Sequence, residues 1–328
     1  MAPIERICLD STVLRCDYEK LVTSLLHKVN YQLPELAKQT KLKANVEGLL
    51  RDLNLPEDLI LRIQGAIGTA VCITHAAYSF LSPQMQQTVA LYAAITIGID
   101  DIASDILEPL RCYANDLVMG QTHGHVILDA LTAWLKRHSR EFGNFSGDMI
   151  VKATLDFISA CYYEETEGMA SPPKKVANFA EYFRYKSGDS EGFAFLLFPE
   201  QLFPEDRFLK NYLPAVPYII EYMNFVNDIL SFYKEEHHVG DRKNYAHTYA
   251  QSENVTVLRA LEIILERSVK AFQIIETILD GDEMLQNAAV RFLHGYLAFH
   301  LGQRRYRLKE LNILAVGPAK KALESYLH

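Results

Sequence analysis

Apolar residues recur at i, i+3 and i+4 over long stretches of this chain, and the period-two alternation of a half-buried strand is hard to find. The recurrence predicts helices near 57–80, 84–107, 123–141, 147–168, 175–196, 205–237, 254–280 and 283–315. Prolines at 34, 56, 83, 109, 172, 173, 199 and 204 fall between these segments, where a residue without a backbone N–H interrupts a helix. Segments 90–99, 212–232 and 288–301 are apolar on more than one face, which suits the middle of a bundle rather than its skin. No repeat of solenoid length and no low-complexity linker divides the chain. The pattern predicts one all-α domain over residues 1–328.

Composition narrows the function classes. Hydrophobic residues make up 49% and charged ones 23%, a balance that gives a soluble globular protein a sizeable core. The 33 basic against 41 acidic residues leave a net charge of −8, which argues against nucleic acid as the main partner, because counterion release needs a basic footprint. The five cysteines, at 8, 16, 72, 112 and 161, are odd in number and show no C-x-x-C spacing. With no signal peptide in MAPIERICLD, they read as free thiols in a reducing compartment. No apolar run approaches the ~20 residues that a membrane helix needs. The expected location is the cytoplasm.

Three stretches carry candidate chemistry. In ALYAAITIGIDDIASDILEP an apolar run leads straight into Asp100 and Asp101, with Asp105 following. Acids at the end of a helix oppose its dipole, so a positive partner is expected there. In EYMNFVNDILSFYKEEHH, Asn227, Ser231 and Glu235 are four residues apart and stack along one face. An amide oxygen, a hydroxyl and a carboxylate are hard donors that suit Mg²⁺, and Lys234 beside them can reach a phosphate. The same row also reads as a solvated polar stripe, although its neighbours Phe225, Val226, Ile229, Leu230, Phe232 and Tyr233 are apolar. In RFLHGYLAFHLGQRRYRLKEL, Arg304, Arg305 and Arg307 bracket Tyr306, and guanidinium forks pair well with phosphate. Cations answering a helix C-terminus are the plainer reading of that segment. Arg184, followed by Ser187 and Gly188 that can break a helix, is a weaker fourth feature.

Together these groups would hold several Mg²⁺ ions and a diphosphate above a dry apolar pocket for a hydrocarbon. The acidic motif pair, the helical layout and the arginine–tyrosine segment resemble a class I terpene cyclase, and most nearly the fungal trichodiene synthase family of sesquiterpene synthases. VNDILSFYKE fits N-D-x-x-S-x-x-x-E, and FLHGYLAFHLGQRRYRL is similar to that family's closing segment. The likeness runs from about residue 60 to 312, with the first 50 residues weakly matched.

The resemblance implies a single class I terpenoid synthase bundle around a central apolar cavity, and farnesyl diphosphate as substrate. It implies three Mg²⁺ ions, two on Asp100 and the third on Asn227, Ser231 and Glu235. Arg184, as sensor, would contact the diphosphate with Lys234, Arg305 and Tyr306, while Asp101 would pair with Arg305 on closure. Ser187 and Gly188 match the linker and break positions after the sensor. A homodimer is also implied.

The first acidic motif departs from D-D-x-x-D/E, since its third acid is one residue late. On an ideal helix Asp105 lies about 140° from Asp100, whereas Ser104 lies about 40° away, so Asp105 is the doubtful metal ligand of the set.

Periodicity from Asp100 puts Thr96, Tyr92 and Val89 on the pocket face, and from Asn227 it puts Asn224, Met223 and Ile220 there. Tyr296, Phe299 and His300 precede the arginine–tyrosine pair, and Phe80 would close another side. For any single one of these aromatics, ordinary core packing is the better explanation. The histidines at 123, 125, 237 and 238 read as surface residues, since hard-oxygen sites do not need imidazole. Two other readings stay open: a chain-elongating or squalene/phytoene-type prenyltransferase, and a non-catalytic isoprenoid-binding helical protein.

Overall fold

From Thr88 to Thr96 every side chain is buried, so no face of this segment meets water and it must lie inside the bundle. The computed structural model describes residues 12–36, 41–166, 177–237 and 244–324, and among them there is no strand. The chain enters through α1 (Thr12–Lys28), α2 (Leu42–Asp52), α3 (Glu57–Arg62) and α4 (Gln64–Ala77). The central α5 (Pro83–Asp101) follows, then α6 (Leu107–Met119), α7 (Val126–His138), α8 (Asn144–Thr166), α9 (Ala177–Ser187) and α10 (Ser190–Phe195). The remaining helices are α11 (Glu205–Tyr212), α12 (Val216–His237), α13 (Tyr245–Glu253), α14 (Val257–Leu279), α15 (Glu283–Gly302) and α16 (Val316–Glu324). None is long and apolar enough to cross a membrane.

Local chemistry sets the ends of the helices that matter for the site. Ser82 caps α5, its hydroxyl accepting from the Met85 N–H, and Pro83 opens the first turn, where its missing donor costs nothing. The start of α8 is held from outside: the Glu205 carboxylate on α11 accepts from the backbone N–H groups of Asn144, Phe145 and Ser146 at 2.8, 3.0 and 2.7 Å. A side chain at Gly143, which has φ 101°, would collide with that carboxylate. One apolar core joins the layers, with α4 packed between α5 and α15, and α12 between α10, α14 and α15.

Several expected boundaries move. The 84–107 segment ends at Asp101, passes through a 3₁₀ turn at Ala103–Asp105, and resumes as α6. Pro109 was expected between helices; it sits in the first turn of α6, a position that tolerates proline. The 57–80 segment divides at Ile63 and the 205–237 segment at Leu213–Ala215, where Pro214 has no N–H to donate to the helical ladder. The 175–196 segment breaks at Gly188–Asp189, and 283–315 ends at Gly302. Helices α1, α2, α6, α13 and α16 were not anticipated. The expected stretches 167–168, 175–176 and His238 lie outside the described residues.

The α4–α15 crossing generates a stability prediction. A Cβ at Gly295 would meet the backbone of Ala76 and Ala77, which cannot swing aside, whereas Gly68 on α4 has open space around it. Gly295→Ala should cost at least about 1–3 kcal/mol in urea unfolding. Gly68→Ala should instead stabilise by about 0.5–1 kcal/mol through helix propensity. Equal effects at the two positions would contradict the close approach.

Candidate active site

A cavity of about 350 Å³ opens where α5, α8, α9, α10, α12 and α15 converge. Its volume falls within the range of about 300–1,000 Å³ that suits a small organic ligand. The inner wall is formed by Ile73, Phe157, Phe193, Met223, Tyr296 and Phe299, with Thr96. Charged groups line the mouth: Asp100, Glu164, Arg184, Lys234, Glu235 and Arg305.

On the α5 side, Asp100 ends a buried helix and exposes its carboxylate at the mouth. Burial among protein groups raises its pKa, Arg305 opposes the shift and Asp101 adds to it. Asp101 is raised by burial in turn and countered by Arg305, whose Nη1 lies 3.9 Å from its Oδ1. Glu164 on α8 is pushed up to about 7 by burial and by Asp100. The two cations answer these acids only in part.

On α12 the expected row is in place: Asn227, Ser231 and Glu235 all line the cavity. Oε2 of Glu235 is buried without a hydrogen-bond partner, and its Oε1 lies 3.7 Å from Lys234 Nζ. Asn227 donates from Nδ2 to His300 Nε2 at 3.1 Å, and its Oδ1 accepts from Arg184 Nη2 at 3.2 Å. Arg184 also donates to Asp228 Oδ1 at 2.9 Å and to the Asn224 carbonyl at 3.2 Å. Burial pushes Asp228 up to about 6 against the pull of that guanidinium.

The break between α9 and α10 is built around the same arginine. A side chain at Gly188 would strike Arg184 Nη1 and Asn224 Oδ1, so only glycine lets the guanidinium pack against the turn. Asp189 follows in the left-handed region, φ 48°, and is 4% exposed. Its Oδ1 lies 3.1 Å from the Tyr92 hydroxyl, which in turn lies 2.8 Å from Thr154 Oγ1, and Thr154 donates to the Ile150 carbonyl. Burial, opposed by the Tyr92 hydrogen bond, lifts the Asp189 carboxyl to about 8. The Tyr92 hydroxyl donates to Asp189 Oδ1, and the other carboxyl oxygen, Oδ2, is buried without a hydrogen-bond partner.

The arginine–tyrosine segment forms a 3₁₀ turn after α15 and sorts its three arginines. Arg305 and Tyr306 face the cavity, Arg304 pairs with Glu324 at 3.2 Å, and Arg307, with φ 59°, pairs with Glu310 at 2.8 Å.

The structure thus gathers Asp100, Arg184, Ser187, Gly188, Asn227, Ser231, Lys234, Glu235, Arg305 and Tyr306 about one mouth, with Asp101 beside Arg305. Asp105 is not among them. It is exposed on the 3₁₀ turn and paired with Arg62, and Ser104 is exposed as well. Of the expected wall residues, Thr96, Met223, Tyr296 and Phe299 line the cavity, while Val89 and Ile220 are buried outside it. The others are corrected: Tyr92, Asn224 and His300 lie one layer behind it, and Phe80 stacks near Arg291. His123, expected at the surface, is buried with Nε2 2.7 Å from the Thr132 hydroxyl, while half-buried His125 caps α7. Asp189, Glu164 and Asp228 were not anticipated. Only Asp228 left a signal, since a buried arginine requires a nearby carboxylate.

Comparisons with known proteins bear on the family and the fold. A family model described as trichodiene synthase (TRI5) matches residues 58–315. An (E)-beta farnesene synthase from Metarhizium brunneum is 28% identical over 309 residues, covering 94% of this chain and 93% of the relative. Terpene synthase 29 from Postia placenta is 32% identical over 259 residues, 76% of this chain and 72% of that one. Among solved structures, a linalool/nerolidol synthase from Streptomyces clavuligerus superposes with a TM-score of 0.64 at 13% identity, covering 84% of this chain and 99% of that chain, a likeness of fold.

Asp189 generates a pH prediction. Its carboxyl titrates near about 8 when folded against a reference of 3.8, so the folded chain holds the extra proton between those values. The stability it contributes is full below the lower value and is lost as pH rises through the upper one, by up to about 1.4 kcal/mol per pH unit. Asp189→Asn is neutral throughout and should melt above the unsubstituted protein at pH 9, with the gap narrowing toward pH 5. Thermal melts followed by circular dichroism measure this, and a gap independent of pH would refute it.

Proposed function

The chain belongs to the trichodiene synthase family of terpene synthases, and on that premise we propose that it is a Mg²⁺-dependent sesquiterpene cyclase acting on farnesyl diphosphate. The observation that carries the reading is the under-neutralised carboxylates on two facing helices at the mouth of an apolar cavity. Glu235 keeps a buried oxygen without a partner, and Asp100 is raised by burial with Asp101 beside it. Both features fit divalent cations, which would relieve them. Asp100, with Glu164 nearby, would hold ions on one side, and Asn227, Ser231 and Glu235 would hold one on the other. Among the described residues no three His, Cys, Asp or Glu side chains converge as a closed metal site, which fits ions that share oxygen donors with a diphosphate. Bound Mg²⁺ would supply Lewis-acid stabilisation of the departing diphosphate.

The chain's own groups divide the rest of the chemistry. Lys234, Arg305 and Tyr306 would hold diphosphate oxygens with charge-assisted hydrogen bonds. Arg184, now engaged with Asp228 and Asn227, has guanidinium N–H groups toward the same mouth. The C–O bond would break with its electron pair leaving on the diphosphate, and the allylic cation would remain among Phe157, Phe193, Tyr296 and Phe299. Those ring faces attract a cation without a lone pair to trap it. Loss of a proton, or capture of water, would end the sequence as a terpene hydrocarbon or alcohol.

Incubation with geranyl, farnesyl or geranylgeranyl diphosphate and Mg²⁺ tests the proposal. Farnesyl diphosphate should give diphosphate and a volatile C15 cyclic product by mass spectrometry, and chelation should abolish turnover. Asp100→Ala and Glu235→Ala should each lower kcat by at least about 100-fold with helix content retained. A longer linear diphosphate, or no diphosphate release, would overturn it.

A further inference from the structure

His300 is fully buried and does not reach the cavity, yet both of its ring nitrogens are committed. Nδ1 lies 2.8 Å from the Tyr296 carbonyl, which can only accept, so Nδ1 carries the proton and donates. Full burial disfavours a charged ring, so the imidazole is neutral and presents a bare lone pair at Nε2, 3.1 Å from Asn227 Nδ2. The rings of Tyr296, Phe299 and Tyr306, with centroids 4.5, 4.8 and 4.5 Å away, leave the imidazole no room to turn over.

That lone pair decides which way the Asn227 amide faces. An amide can be rotated by half a turn with little change of shape, but its two ends are opposites: the oxygen can ligate a cation and the NH₂ cannot. With Nε2 able only to accept, the NH₂ is drawn backward and Oδ1 is sent forward to the mouth, where it meets Arg184 at 3.2 Å. We propose that His300 is a positioning residue that fixes the oxygen of Asn227 toward the metal side of the cavity. The inference rests on the reading of Asn227 as an oxygen ligand. It assigns to a buried histidine the role that an outer hydrogen-bond partner plays for a metal ligand, where loss costs about 10–100-fold in affinity.

The test is titration calorimetry of the full chain with inorganic diphosphate and Mg²⁺, in which no turnover is involved. The unsubstituted protein should bind diphosphate only with Mg²⁺, and His300→Phe should weaken that binding about 10–100-fold. His300→Gln, whose amide oxygen can accept at the Nε2 position, should restore most of the affinity. In Asn227→Asp both ends of the side chain are oxygen, so orientation no longer matters and adding His300→Phe should cause no further loss. A general packing defect would weaken both backgrounds equally. Unchanged affinity in His300→Phe, equal losses in His300→Phe and His300→Gln, or the same loss on the Asn227→Asp background would each overturn the inference. Absence of Mg²⁺-dependent diphosphate binding in the unsubstituted protein would overturn the functional reading and this inference with it.

Discussion

The mouth of the cavity is governed by repulsion among carboxylates that the chain brings together and does not fully neutralise. Asp100, Glu164, Asp228 and Glu235 line it, with Asp101 at the edge, against Arg184, Lys234 and Arg305. Arg184 is bound to Asp228, while Lys234 and Arg305 stand 3.7 and 3.9 Å from their acids, too far for firm hydrogen bonds. Burial raises Asp100, Glu164 and Asp228 together. Such an arrangement is unfavourable in itself, and it persists because a continuous apolar core fixes the helices that carry it. The bundle is the scaffold that keeps these acids close to one another.

This explains why α5 and α12 are built so differently from surface helices. Each is apolar around most of its circumference and carries its acids at the cavity end. The helix break at Gly188 has the same logic, since it lets a buried guanidinium lie against the turn and anchor to Asp228. Removing either neighbour would leave the other charged and unpaired in a poor solvent.

Much of this was legible in the sequence, and the limits have physical causes. Periodicity of 3.6 found the long helices and aligned Asn227, Ser231 and Glu235, because angular position on a helix follows from residue number alone. Depth does not. Tyr92, Asn224 and His300 share faces with true wall residues but lie one layer behind, a distinction set by neighbouring helices. Pro109 was misread because proline is a breaker in the middle of a helix and harmless in its first turn. Three arginines close together looked alike until the positive φ at Arg307 turned that residue toward Glu310 and left Arg305 alone at the mouth. Glu164 left no trace, since one acid on a long amphipathic helix resembles any other.

The residues behind the wall account for a requirement that the wall itself cannot meet. On the proposed function the cavity must keep lone pairs away from a reactive cation, yet a bundle of this size inevitably buries polar groups nearby. Here these groups bond to one another: Tyr92 to Thr154 and Asp189, Ser190 to Asn224, and His300 to Tyr296 and Asn227. Asp189 lines the cavity and remains protonated near neutral pH, so it presents no anion to a neighbouring cation. Hydrogen bonds to partners on different helices thus hold these polar groups in place beside the cavity. Shape on the inside of the cavity and hydrogen bonding on the outside are two sides of the same wall.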